Sequence, residues 1–200
     1  MSGQRREVCN VSRAMRRRRL LLASAAALAV AASLTAGPRS PLGGSAASAQ
    51  PLRVACGVER WTVKTLQDRP RLLPVRDVTI TYLVSRPAPG SLPPTRLPFE
   101  RNLFRVRAAV VLVRPEDDGD FHVVLSDGTR TMISEAPLPS CTQNALPAYR
   151  TQMAQARQRV RLCAKAVVTG VAFFDFKHGQ TGVAPNAIEL HPILAFRCTD

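Results

Sequence analysis

Hydrophobic and polar positions change period more than once along the second half of the chain. From Phe104 to Val113, alternation (Phe-Arg-Val-Arg) gives way to residues apolar on both faces, which predicts a long strand entering a core. Glu116-Asp117-Asp118-Gly119-Asp120 is an acidic turn, Phe121–Leu125 a second strand, and Arg130–Glu135 a third. Asp127-Gly128 between the last two is a strong hairpin signal, because tight hairpin turns need the positive φ that Gly tolerates. The period then lengthens. Leu146, Tyr149, Met153, Ala156 and Val160 recur at steps of three and four, so 145–160 reads as an amphipathic helix. Asn144 is placed to cap it, and Pro147 falls in the first turn, where a missing N–H costs nothing. Lys165–Phe176 is a long strand with Gly170 marking a bend, and Phe174 and Phe176 fall on its core side. After a loop over 177–186, Ala187–Cys198 is a last strand with Ile188, Leu190, Leu194 and Phe196 on one face.

Upstream, the pattern is more broken. Gln50–Arg76 carries Cys56 and the lone Trp61, with Val63 and Leu66 packing beside it, and Val78–Val84 is a strand or a tight helical turn. Arg86–Pro98 holds five prolines and is a loop. Residues 16–19 are four arginines, followed by Leu20–Ala36, seventeen residues without charge, and then a small-residue stretch ending Ala47-Ser48-Ala49-Gln50. A basic segment, an apolar run and small residues at an A-x-A cut define a signal peptide, with Leu34-Thr35-Ala36 a second cut and Met15 an alternative start. An uncleaved anchor is the competing reading, though eight alanines among the seventeen make a weak span. The expected organisation is therefore 1–49 signal peptide and linker, 50–103 an N-terminal extension, and 104–200 the main domain, secreted or periplasmic and with no stable membrane insertion after cleavage.

The order β-β-β-α-β-β is that of an OB-fold, and the expected class is mainly β (α+β): a five-stranded barrel with one helix between strands 3 and 4. In such a barrel the loop between strands 1 and 2 (L12, 116–120) and that between strands 4 and 5 (L45, 177–186) frame the ligand face. A generic α+β domain with the same elements otherwise arranged is the alternative.

Charge and cysteines refine this picture. The net charge is +14, but half of it lies in residues 1–49, which weakens the case for a nucleic-acid binder. Basic residues are 25 Arg and only 3 Lys. Downstream of the leader, Cys56, Cys141, Cys163 and Cys198 form an even set without C-x-x-C spacing, which favours disulfides over a metal-thiolate site in an exported chain. If Phe176 and Ala187 bracket the last hairpin, Cys163 and Cys198 fall nearly opposite one another, leaving Cys56 to pair with Cys141; four buried thiols are the alternative.

Val168-Thr169-Gly170-Val171, Phe173-Phe174-Asp175-Phe176 and His178-Gly179-Gln180-Thr181-Gly182-Val183-Ala184-Pro185-Asn186-Ala187-Ile188-Glu189-Leu190-His191-Pro192 resemble a family of uncharacterised exported bacterial proteins. Cys56–Trp61 with Val63-Lys64-Thr65, and Asp118–His122 with Thr131-Met132-Ile133, are similar to it as well. The resemblance implies an exported globular domain and brings no activity with it. In element order alone the chain is similar to staphylococcal-nuclease-like OB domains, whose paired carboxylates and two arginines have no residue-by-residue match here.

Candidate chemistry concentrates near L12 and L45. Asp118, Asp120 and His122 alternate and share a face if the second strand extends back; His178 lies in L45 and His191 on the last strand. Asp120, His122, Asp175, His178, Gln180, Asn186 and His191 are the expected ligand-binding set. No cofactor is expected and no metal is favoured, because the three histidines lack H-x-H or H-x-x-x-H spacing; a metal, if held, would fall to Asp118, Asp120, His122 and His178. Arg150, Arg157 and Arg161 form a basic helical stripe, read as a solvated face or as a contact for an anionic extracellular polymer or nucleic acid. No nucleophile elbow, P-loop or dinucleotide fingerprint appears. The expected function is an exported binding module of unspecified ligand, with a metal-dependent nuclease-like hydrolase as the alternative.

Overall fold

The computed structural model describes residues 55–200, so the signal-peptide reading of 1–49 lies outside the described residues. The elements are α1 (Trp61–Lys64), β1 (Arg76–Asp77), α2 (Ile80–Val84), β2 (Leu103–Pro115), β3 (Phe121–Ser126), β4 (Thr131–Ala136), α3 (Pro147–Arg159), β5 (Cys163–Phe174) and β6 (Ile188–Cys198), with 3-10 turns at Pro98–Arg101 and Pro139–Thr142. No helix among the described residues is long and apolar enough to cross a membrane.

β2 pairs antiparallel with both β3 and β5, β3 with β4, and β5 with β6, while β6 runs parallel to β4 through Ile133↔Glu189 and Ser134↔Leu190. The ring β2-β3-β4-β6-β5 thus closes on itself, an OB-like barrel with one helix between its third and fourth strands and the short β1 added beside β2. Closure depends on bending. β2 and β5 shift register between Ala108 and Val110, and β5 and β6 shift at Gly170. A Cβ at Gly170 would come 2.8 Å from the Leu190 Cβ, so only glycine lets the strands approach there.

Inward residues form one core that includes Phe104, Val106, Val123, Leu125, Met132, Val168, Ala172, Ile188, Leu190, Ile193 and Phe196. The expected single face of the last strand breaks in its middle: the bulge beyond Gly170 carries Leu194 outward to a second cluster with Leu66, Met153 and Val171, while Ile193 takes the inward place. α3 spans both, Ala156 in the first cluster and Met153 in the second. Leu146 is the N-cap and exposed; Asn144 makes no cap, its carbonyl instead accepting from Arg69 Nε at 3.3 Å. Phe176 lies beyond the end of β5 and is exposed, unlike Phe174.

Both expected disulfides are present. Cys163–Cys198 has Cα atoms 6.0 Å apart and Cys56–Cys141 5.6 Å. Register slips on the way: Ala166, not Cys163, faces Cys198, and the bridge reaches back to the first residue of β5. Cys56–Cys141 closes a separation of 85 residues, worth roughly 4 kcal/mol in chain-entropy terms.

One charge on the helix is not solvated. Arg157 is half-buried, with its guanidinium 3.8 Å from the Phe121 ring centroid and donating to the Ala136 carbonyl. Ala136 ends β4 opposite Phe121, so Arg157 reaches the strand end and the ring it covers with one side chain. Only Arg161 of the stripe is fully exposed; Arg150 is half-buried and donates to the Gln143 side chain at 2.8 Å. Charge reversal, Arg157→Glu, is therefore expected to destabilise the fold by about 1–3 kcal/mol, from the lost hydrogen bond and ring contact. Chemical denaturation of the oxidised chain measures this; a change within about 0.5 kcal/mol would restore the solvated-stripe reading.

Candidate functional site

Strand alternation decides which side chains leave the barrel interior. With Val123 and Leu125 inward, His122 and Val124 point outward from β3; with Met132 inward, Ile133 and Glu135 point outward from β4. Glu189 and His191 do so from β6, and Phe173 from β5. In an open barrel this polar outer face would meet water. Here it is covered, because L45 lies over β3 and residues 56–64 lie over L12 and β5. A Cβ at Gly182 (φ 84°) would come 2.5 Å from Val124, so L45 can settle this close only with glycine there. A Cβ at Gly57 would come 2.6 Å from the Trp61 ring and 3.1 Å from Asp118.

The N-terminal segment is held by charge. Arg60 donates to both Glu100 carboxylate oxygens at 2.7 Å and to the carbonyls of Pro93, Thr95 and Phe174. Glu100 Oε1 in turn accepts from Phe174 N at 2.9 Å. One bidentate pair therefore fastens α1, the proline-rich excursion and the end of β5 together.

Beneath this cover lies a cluster of ionisable groups. Glu135 sits between two imidazoles: Oε2 is 2.9 Å from His191 Nδ1 and Oε1 is 3.4 Å from His122 Nδ1. His191 Nε2 lies 3.3 Å from Asp120 Oδ2, and His122 Nδ1 lies 3.3 Å from Glu116 Oε1. His122 Nε2 is 2.8 Å from the Thr181 carbonyl in L45. Lys64 reaches Asp175 at 2.8 Å, and Arg114 reaches Glu116 Oε1 at 3.2 Å from the solvent side. The His122, His191 and Asp120 side chains are wholly buried.

The surroundings shift the titrations in opposite directions. Burial would lower His191, but the charge of Glu135 and the contacts with Asp120 outweigh it and push it up to about 10. Burial would likewise lower His122, which Glu135, Thr181 and Glu116 raise. Burial alone would raise Glu135, yet His191, His122 and Lys64 hold it well below the usual carboxylate range. Glu189, fully buried beside the charges of Glu135 and Asp175, is pushed well above it. Glu116 and Asp118 are raised by partial burial and then by carboxylate neighbours, chiefly Glu135 and Asp120 respectively.

Of the residues expected from sequence, Asp120, His122 and His191 meet in this cluster, and Asp175 joins it through Lys64. His178 stays at the exposed rim, 2.8 Å from Glu59, and is not brought to the metal-type group with Asp118 and Asp120. Gln180 folds L45 by accepting from His178 N. Asn186 is structural: Nδ2 donates to the carbonyls of Leu83 and Arg86, tying α2 to the start of β6. Sequence reasoning missed Glu116, Glu135, Glu189 and Lys64. A signal existed for two of them: Glu135 and Glu189 are lone acids within strands that are otherwise buried.

No protein-family model matches the chain, and no curated protein is similar to it in sequence. Among solved structures the chain is similar to Entamoeba histolytica asparaginyl-tRNA synthetase, at 11% identity and a TM-score of 0.36, over 63% of this chain and 24% of that one. A likeness of that size carries no argument about function, and the chain spans about a quarter of that protein.

Lys64 is the ammonium partner of a carboxylate that is only 4% exposed. Lys64→Met should destabilise the oxidised chain by about 3–5 kcal/mol, because Asp175 is left buried without its partner. A loss below about 1 kcal/mol in chemical denaturation would show that the pair behaves as a solvated one.

Proposed function

We propose that the chain is an exported binding module whose ligand face is the L12 and L45 end of the barrel, and that what it holds there is positively charged. The observation that carries this is the convergence of six carboxyl groups, Glu116, Asp118, Asp120, Glu135, Asp175 and Glu189, from L12, β4, the end of β5 and β6 around two imidazoles and one ammonium. Folding alone does not call for such a collection, since each buried charge costs free energy that an apolar side chain would not. At the rim, Glu59, Glu116, Asp117 and Asp118 reach solvent wholly or in part, so the face attracts cations. Two disulfides and the resemblance to exported bacterial proteins support an oxidising compartment.

An anionic polymer has a different place to bind. Two cavities of about 560 Å³ each share Arg107 and Asp127 and run beside β2, lined also by Arg105 and Lys165. Hydrolysis of the nuclease type is the second reading, favoured by Asp120 and His122 meeting in one site, and it requires metal-dependent cleavage of nucleic acid. Titrating the oxidised chain with an oligolysine peptide and, separately, with an anionic polysaccharide distinguishes the faces by backbone NMR. The proposal expects oligolysine to shift the amides of 116–122 and 177–182. Shifts confined to 105–109, 126–130 and 164–167, and arising only with the polyanion, would overturn it.

A further inference from the structure

The His122 ring has a proton assignment fixed by its neighbour. Thr181 offers a carbonyl, which only accepts, so the 2.8 Å contact requires the proton on Nε2. Nδ1 of the neutral ring is then a lone pair, and it faces two carboxylate oxygens, Glu116 Oε1 at 3.3 Å and Glu135 Oε1 at 3.4 Å. Three electron-rich atoms at these separations repel one another unless a cation lies among them. A proton on Nδ1 is one such cation, but neither oxygen accepts a hydrogen bond from it in this arrangement, and buried Nδ1 has no partner. A metal ion serves well. Ligands held at about 2.0–2.1 Å around a tetrahedral ion are about 3.3 Å from one another, which matches both separations.

We propose that Glu116, His122 and Glu135 form a binding site for a divalent transition-metal ion of the zinc class, deepening the cationic-ligand reading of this same face. The three donor atoms lie within 4.8 Å of one another. One imidazole with two carboxylates is a borderline donor set suited to zinc, whereas magnesium demands octahedral oxygen ligation. The outer partners are those that metal ligands use: the Thr181 carbonyl orients His122 from behind, and His191, itself beside Asp120, lies against the far oxygen of Glu135. Glu116 is 24% exposed, so the fourth position opens toward solvent. The competing cation is Arg114, half-exposed and 3.2 Å from Glu116 Oε1. It approaches from outside and can swing into water.

The experiment is calorimetric titration of the oxidised full chain with zinc chloride alone, in a Cys9→Ser background so that the remaining thiol does not compete, with magnesium as the comparison. One zinc per chain is expected, with magnesium bound far more weakly. Glu116→Gln and His122→Asn should each weaken zinc binding tenfold or more. His178→Ala should leave it within about twofold, and Arg114→Ala should leave it unchanged or tighter, as expected for rim groups that are not ligands. If His122→Asn does not fold, Glu116→Gln, at a partly exposed position, carries the test by itself. Absence of saturable zinc binding, wild-type affinity in Glu116→Gln, or loss of binding in His178→Ala would each overturn the site. Zinc failing while oligolysine still shifts the 116–122 amides would reject the metal site and leave the cationic-ligand reading standing.

Discussion

The Arg60–Glu100 pair is the contact on which the outer half of this molecule depends. Four-residue α1 has no capacity to persist alone, since nucleating a helix costs more than one turn returns. Arg60 is also the left-handed residue that begins it (φ 49°), a conformation that costs a non-glycine residue of order 1 kcal/mol or more. What fixes it is a guanidinium with acceptors on every side: a carboxylate, three carbonyls, and the Phe173 ring face 4.8 Å away. Glu100 is equally committed, also capping its own turn through Leu97 N at 2.7 Å. Both groups are nearly free of solvent, so removing either would strand the other.

That fastening changes what the barrel is. An OB-like barrel normally leaves the strand face between its L12 and L45 loops in water. Here the N-terminal segment, held at one end by Cys56–Cys141 and at the other by Arg60, turns that face into an interior. Desolvation then acts on every group beneath it, separating Glu135 from Glu189 in titration although both are buried glutamates. Proximity to two imidazoles keeps one charged, and proximity to two carboxylates drives the other toward neutrality.

The barrel was legible in the sequence because it is built from local signals: alternation in 104–113 and 121–135, Asp127-Gly128, the three-and-four spacing of 149–160, and Gly170 in a long apolar run. The disulfides followed from hairpin geometry even though the bulge shifted the register. The outer layer was not legible. Arg60 and Glu100 stand 40 residues apart in proline-rich surroundings and carry no periodic signature. Arg157 read as solvated because helical spacing reveals which face a residue shares, not which ring and carbonyl lie opposite. His122 and His191 could be named from residue type; Glu135 stands out only as a lone acid in a buried strand, and its place between them is illegible because parallel pairing of β4 with β6 is a tertiary fact.

Native-state hydrogen exchange on the oxidised chain tests most directly whether the N-terminal segment is part of the barrel rather than an appendage to it. The amides of Lys64 and Thr65, bonded to the carbonyls of Arg60 and Trp61, should exchange as slowly as those of Ala172 and Phe174 in β5, because all four would open only with the Arg60–Glu100 contact. Arg60→Ala should speed all four together while leaving β3 and β4 amides at Val123 and Ile133 protected. Lys64 and Thr65 exchanging orders of magnitude faster than Phe174 in the unmodified chain would contradict the account, since the segment would then be a loose cover over a barrel that stands without it.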